Sequence, residues 1–428
     1  MSVTRAQHSL PTSVLPVRSR LAHPALLLTG IVLVALNMRA CLAAVSPMVG
    51  EIQHTFGLST TVSGLITTVP VLFQGVGAPL TPRLTRRFGT ERVVLGAVLV
   101  LAAGVLLRVL PSVAALYGGC VVIGVAIAVL NVSMPGLVKR EFPQRAAAMT
   151  GVYSTTMLVG ATLAAGSSVP LEHALGGGWR ASLGAWSLLA LVAALAWLPQ
   201  VLKARQERSA GAVPAQTRAP AQTQVLAQAQ AGPTAGKPIA GIWRLPLAWQ
   251  ISLFMGVSSL MVYTLVAWMP TVLADHGMSR DQAGLVFAFS NLVQVAGAFL
   301  VPLLAGRLTR QRGLAVAMAA LNAAGVTVLL LAPVSGAWVA AAVLGLAQGG
   351  SLGLALAFIV LRTDSVAGAA QLGGMSQAVG YLIAALGPVG AGALHQLTGG
   401  WTAVLVVLLV LAGAAAVAGW GAGRDRTL

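Results

Sequence analysis

Side chains able to do chemistry are scarce in this 428-residue chain, and their types exclude most catalysis. There are nine carboxylates: Glu51, Glu91, Glu141, Glu172, Glu207, Asp275, Asp281, Asp364 and Asp425. All of them fall at the edges of apolar runs or between runs, so no buried carboxylate dyad or proton relay is expected. Cys41 and Cys120 stand apart, each inside an apolar run, and form neither a disulfide framework nor a metal-ligand set. A phosphate-binding glycine loop ending in Lys-Ser/Thr is missing, as is His-Glu-x-x-His. No cofactor is expected, and neither ATP hydrolysis nor metallohydrolase chemistry is supported.

One charged residue lies deep in an apolar run: Arg39, within LVALNMRACLAAV. Holding a guanidinium there costs about 2.5–3.5 kcal/mol even on gentle insertion scales. Its planar, five-donor fork suits a delocalised anion or a flat nitro group. Arg39 is read as the binding group for a small anionic or weakly acidic substrate, the alternative being that it snorkels to the outer headgroups or bonds to backbone carbonyls. Asn37, two residues earlier, points about 200° away on an ideal helix and is expected to bond to a neighbouring helix. Amides and phenols at mid-run positions complete the candidate contacts: Gln74, Asn131, Tyr153, Asn291, Gln294, Gln348, Gln377 and Tyr381. Asn291 and Gln294 are three apart, and Gln377 and Tyr381 four apart, so each pair shares a helix face. Amides of this kind also glue helices together. Arg108, at the end of the third run, reads as interfacial.

The elements that must carry these residues are membrane helices. Hydrophobic residues make up 57% and charged residues 8%, too few charges to cover a water-soluble globule of this size. Runs of spanning length, about 20 residues, lie near 24–47, 62–82, 93–111, 115–138, 147–170 and 181–199, then 246–270, 283–306, 313–333, 337–361, 373–394 and 402–421. The first is too long for a signal-peptide core and is read as a retained helix. The fold class is all-α integral membrane with twelve transmembrane helices. With both termini cytoplasmic, 22 of the 26 Lys and Arg fall on the inner side, as the positive-inside rule requires. The net charge of +17 thus reads as topology and attraction to membrane lipid, not nucleic-acid binding. Trp179, Trp268 and Trp401 fall near outer boundaries and read as interfacial anchors.

The chain divides into a cytoplasmic N-tail (1–23), a six-helix half (24–199), a linker (200–245), a second half (246–421) and a C-tail (422–428). The linker core, GAVPAQTRAPAQTQVLAQAQAGPTAGK, has no repeating apolar face and reads as disordered. The halves resemble each other. GLSTTVSGL (57–65) matches GMSRDQAGL (277–285), Gln74 and Gly77 then meet Gln294 and Gly297 in the same register, and RLTRRFG (83–89) matches RLTRQRG (307–313). Six helices per half make corresponding helices run in the same direction, the parallel repeat of the major facilitator arrangement. That family's Gly-x-x-x-Asp-Arg-x-Gly loop is degenerate here, with Arg86 at the acidic position and Pro82 at the leading glycine.

Four strings carry a closer resemblance: LNMRACLAAVSPMV (36–49), NVSMPGLVKREFPQR (131–145), MTGVYSTTMLVGATLAA (149–165) and MSQAVGYLIAALGPVGAGALHQLTGGW (375–401). They resemble the cyanate and 2-nitroimidazole transporter family, although Ala40 follows Arg39 where members commonly have proline. The resemblance implies a secondary transporter of the bacterial inner membrane for cyanate, 2-nitroimidazole or a related small compound, and a monomer is expected. It carries over most strongly to Arg39, then to Asn131, Tyr153, Gln377 and Tyr381. Rival expectations are an exporter of neutral drugs or metabolites and a non-transporting membrane sensor. Because no acid lies within the spans, movement is expected to be facilitated, an exchange, or driven by a proton on the weak acid itself; His395 is the remaining candidate for proton handling.

Overall fold

The computed structural model describes residues 24–77, 80–142, 146–210, 239, 241–364 and 366–428. The N-tail and linker residues 211–238 lie outside the described residues, with the expectations made for them.

The described chain folds as fourteen helices of eight residues or more. In the first half these are α1 (Pro24–Ala43), α2 (Val49–Phe56), α3 (Thr60–Gly77), α4 (Thr81–Phe88), α5 (Thr90–Arg108), α6 (Val113–Glu141), α7 (Ala146–Leu175) and α8 (Gly178–Ala210). The second half has α9 (Pro246–Asp275), α10 (Arg280–Arg307), α11 (Arg312–Leu331), α12 (Ala337–Leu361), α13 (Val366–Thr398) and α14 (Thr402–Ala422). Eleven spans are long and apolar enough to cross a membrane, α1 and α2 together forming the first. The 30-residue α7 is the twelfth long helix. Its polarity comes from TGVYSTT near its start, which brings Tyr153 and Ser154 to an internal cavity.

Several boundaries differ from the sequence reading by a few residues, and three of the differences have a clear form. The first helix ends at Ala43, not 47, and a 3-10 turn (Ser46–Met48) leads into α2. Pro47 has no N–H to give the Ala43 carbonyl, and its ring crowds that oxygen. Thr81–Phe88 is a short helix with a proline in its first turn and Gly89, at φ 88°, after its last residue. Finally, α8 continues through the expected start of the linker to Ala210.

The two halves repeat one packing scheme. In the first, α1 packs on α7, α3 on α6 and α5 on α8; in the second, α9 packs on α13, α10 on α12 and α11 on α14. Between halves the principal contacts are α3 with α13 and α7 with α10. These contacts gather at the end opposite the basic loops. Gly64 lies where an added Cβ would be 2.8 Å from the Cα of Val389, and the same atom at Gly284 would be 3.0 Å from the Ala165 carbonyl, so backbones cross nearly in contact. Thr68 gives its hydroxyl proton to the Ala385 carbonyl (2.9 Å) and accepts from the Val389 N–H (3.2 Å). Pro270 leaves the Val266 carbonyl without its helical donor; the Ser46 hydroxyl crosses between halves to supply one.

The apolar core has the same asymmetry. At this end one buried cluster joins both halves, with Met48, Ile52 and Ala165 packed among Trp268, Phe287 and Trp401. Towards the basic end the core splits into one cluster confined to the first half, around Met38 and Trp197, and another in the second, around Phe254 and Phe358. The molecule is thus closed at one end and parted at the other.

Candidate substrate site

A cavity of about 270 Å³ lies between the halves, built by three helices from each. Arg39 comes from α1, Asn131 from α6, and Tyr153 and Ser154 from α7. From the second half, α9 supplies Met255, Ser258, Ser259, Val262 and Tyr263, α12 supplies Leu352 and Leu356, and α13 supplies Gln377 and Tyr381. The guanidinium carbon of Arg39 sits 5.7 Å from the centroid of the Tyr263 ring, within cation–π range. Among the described residues no carboxylate forms a salt bridge with it. Three of the chain's four tyrosines, Tyr153, Tyr263 and Tyr381, line this one space. The site therefore offers a cation, phenol hydroxyls, two serines of α9 and two amides, set among flat rings and aliphatic side chains.

Five of the nine candidate residues meet here: Arg39, Asn131, Tyr153, Gln377 and Tyr381. Gln74 stands behind them, buried, its Oε1 accepting from Asn131 Nδ2 at 3.4 Å. Asn291, Gln294 and Gln348 are buried in the second half and do not line the cavity. Asn291 instead donates to the Phe287 carbonyl of its own helix at 2.9 Å. The equivalence of Gln74 and Gln294 in sequence thus gives equivalent burial but no shared site.

The sequence reading passed over α9, whose LFMGVSSLMVYTLVAW resembles an ordinary span. A signal was available: Met255, Ser259 and Tyr263 recur every four residues, with Ser258 and Val262 on the adjoining stripe, which sets the polar atoms on one face.

Arg108 is not interfacial. It is 1% exposed, and its Nη1 donates to the Cys41 carbonyl at 2.9 Å. In a continuous helix that carbonyl would bond to the Val45 N–H, which here turns to Leu42. Arg108 therefore caps the break in α1 two residues beyond Arg39. Arg108→Ala should leave a buried carbonyl without a donor and destabilise the fold by about 1–3 kcal/mol; a thermal melt of the purified protein reads the loss, and an unchanged midpoint would count against the cap.

The three tryptophans expected at the membrane interface are also buried. Trp268 donates to the Pro388 carbonyl (2.8 Å), Trp401 to Asp275 (2.8 Å), and Trp179 to Thr55 (3.0 Å). They seal the closed end. His395 lies there too, its ring 4.1 Å from that of Trp401. Asn37 donates to the Leu189 carbonyl of α8 at 3.2 Å, a bond to a neighbouring helix as its phase on α1 implies. At the same end Arg280 ion-pairs with Glu51 through Nη1 and with Glu172 through Nη2, the latter at 3.1 Å.

Twelve long helices in two like halves around a central cavity agree with the comparison to protein families, where residues 27–385 match the Major Facilitator Superfamily. The chain belongs to the Major Facilitator Superfamily. It is 37% identical over 404 residues to the 2-nitroimidazole transporter of Escherichia coli (strain K12), an alignment covering 94% of this chain and 96% of that protein. It is 29% identical over 373 residues to the cyanate transport protein CynX of the same organism, covering 87% of this chain and 90% of that one. Among solved structures, a bacterial homolog of the human lysosomal transporter Spinster, inward-facing and occupied, superposes with a TM-score of 0.74 at 17% identity, covering 95% of this chain and 99% of that chain. The chain is thus a membrane transporter of this superfamily and not an enzyme.

Proposed function

We propose that this transporter moves a small organic anion or weak acid by alternating access, with Arg39 recognising the substrate's charge. The observation that carries the reading is Arg39 itself: a guanidinium without a carboxylate partner among the described residues, opening into the cavity between the halves. An anion there would gain a charge-assisted hydrogen bond and relieve an uncompensated charge. The tyrosines around it favour a flat ring carrying nitro or carboxyl oxygens, closer to the nitroimidazole named for one relative than to the cyanate named for the other.

In this reading the basic end faces the cytoplasm of a bacterial inner membrane. Residues 24–199 and 246–421 form the moving halves, 200–245 link them, and the described state is open inward. The protein works as a monomer, in contact with lipid but not with nucleic acid. The deciding experiment is uptake into proteoliposomes of labelled 2-nitroimidazole, benzoate and cyanate, with and without a pH gradient. Saturable uptake of at least one, absent from empty vesicles, is expected; no uptake of any under either condition would overturn the reading.

A further inference from the structure

The wall of the first half carries a groove that the substrate cavity does not reach. Helix α5 packs chiefly against α6 and α8 of its own half, so its remaining face turns outward to the membrane. At the basic end α4 lies against both α5 and α6, and the three enclose a groove of about 370 Å³. Leu84 and Phe88 of α4, Gly96 and Val100 of α5, and Val125 and Val129 of α6 line it, and Arg92 is the one polar residue among those described there. Phe88 and Val100 are 45% and 43% exposed, and a Cβ added at Gly96 would meet no atom within 4 Å, so the groove is open to the bilayer. From this arrangement we infer that the groove binds one anionic phospholipid, which lays an acyl chain between α5 and α6 and sets its phosphate against Arg92 and Arg87.

Length and charge both fit that occupant. From Arg92 to Val100, α5 rises about 12 Å, within the roughly 15 Å that one leaflet contributes to the hydrocarbon core. A chain lying there is therefore buried beside the helices while its headgroup stays at the level of Arg92. The guanidinium carbon of Arg87 sits 5.3 Å from the centroid of the Phe88 ring, which holds it at the mouth of the groove. Arg83, Arg87 and Arg92 are all exposed, and no acidic residue lines the groove. A lipid phosphate would accept charge-assisted hydrogen bonds from these guanidiniums. A basic pocket between membrane helices is the setting in which anionic headgroups are held.

The internal repeat gives a contrast. In the second half the string RLTRQRG is closed over by the chain itself. Gln311, which matches Arg87, is 2% exposed, donates to the Ala305 carbonyl at 3.1 Å and accepts from Arg362. The Gln311 N–H donates to the Gly423 carbonyl at 3.2 Å, and a Cβ added at Gly423 would lie 2.6 Å from the Arg312 nitrogen, so the C-tail backbone rests directly on this turn. Among the described residues no segment plays that part for the first half, where Arg87 and Phe88 are exposed. The same turn is thus sealed by protein in one half and left for lipid in the other.

The test reads binding without transport, so its result does not depend on the role of Arg39. The full-length protein, delipidated in a neutral detergent, is titrated with dioleoyl phosphatidylglycerol or dioleoyl phosphatidylcholine, and bound lipid is counted by native mass spectrometry. One phosphatidylglycerol should bind roughly thirtyfold more tightly than phosphatidylcholine, about fivefold from each of two arginines. Arg87→Gln combined with Arg92→Gln should bring the two lipids level. Arg307→Gln combined with Arg310→Gln, which removes two exposed charges at the matching string of the second half, should leave the preference intact. Gly96→Leu fills the groove and should weaken both lipids roughly tenfold, the contribution of about two buried methylenes. Gly413→Leu, on the exposed face of α14 where an added Cβ also meets no atom within 4 Å, should not. Glycerol 3-phosphate at the lipid's concentration should displace neither, because it lacks the chain. Equal binding of the two lipids by the parent, or an equal loss in the Arg307 and Arg310 variant, would overturn the site. So would unchanged binding by monodisperse Gly96→Leu protein, or displacement by glycerol 3-phosphate.

Discussion

Arg39→Gln is expected to weaken binding of a small organic anion roughly ten- to hundredfold, the loss of a charge-assisted contact of about 1.5–3 kcal/mol. Glutamine keeps part of the length and some hydrogen bonding but removes the charge. The neighbouring phenols and serines of the cavity can still hold a ring, so some binding should persist. Arg39→Lys keeps the charge but loses the planar fork and should fall between the two. Binding is measured by calorimetry on purified, monodisperse variants, which separates recognition from folding. Anion affinity in Arg39→Gln equal to the parent's would make Arg39 a structural residue and remove the basis for an anionic substrate. A neutral ring of the same size should lose little affinity in either variant, because the stacking partners Tyr263 and Tyr381 remain.

The second large effect is expected at Gly64. Any Cβ there would lie 2.8 Å from the Val389 Cα and 2.9 Å from the Pro388 carbonyl carbon. These are backbone atoms of α13 and cannot rotate aside. Gly64→Ala should therefore overpack only the state closed at that end, by about 1–3 kcal/mol. The state parted there has no such contact, so the balance between the two should shift by roughly five- to hundredfold. Uptake is expected to fall by about tenfold or more, while the variant remains folded and monodisperse because packing within each half is untouched. Wild-type uptake by Gly64→Ala would mean that the two helices do not need to close at Gly64 during transport.

The secondary elements were legible because their cause is local. A run of about 20 apolar residues has one stable fate in a bilayer, and the twelve runs read from sequence reappear as the twelve long helices, with several ends displaced, most of all where α8 runs on to Ala210 and α13 begins at Val366. The repeat was legible from strings such as RLTRRFG and RLTRQRG, and it returns as the same order of helix pairing in each half. Arg39 could be found because an unpaired cation in an apolar run is costly wherever the rest of the chain lies.

What the sequence left open depended on partners far along the chain. Arg108 and Arg39 are both arginines in or beside apolar runs, yet one caps the Cys41 carbonyl and is sealed from solvent while the other faces a cavity. Trp268 and Trp401 carry amphipathic rings suited to an interface, but contact with each other at 5.3 Å and bonds to Pro388 and Asp275 bury them at the closed end. Glu51, Glu172 and Arg280 read as three separate loop charges until the fold brings them together across as many as 229 positions. By itself the sequence determined the membrane class, the helices, the doubling and the central cation, since each follows from the hydrophobic effect or charge desolvation acting on a single segment. Which side chains share the cavity, which amides are buried behind it, and which end is shut were decided only by tertiary structure, because a side chain's orientation and partner depend on how two helices distant in sequence come to rest against each other.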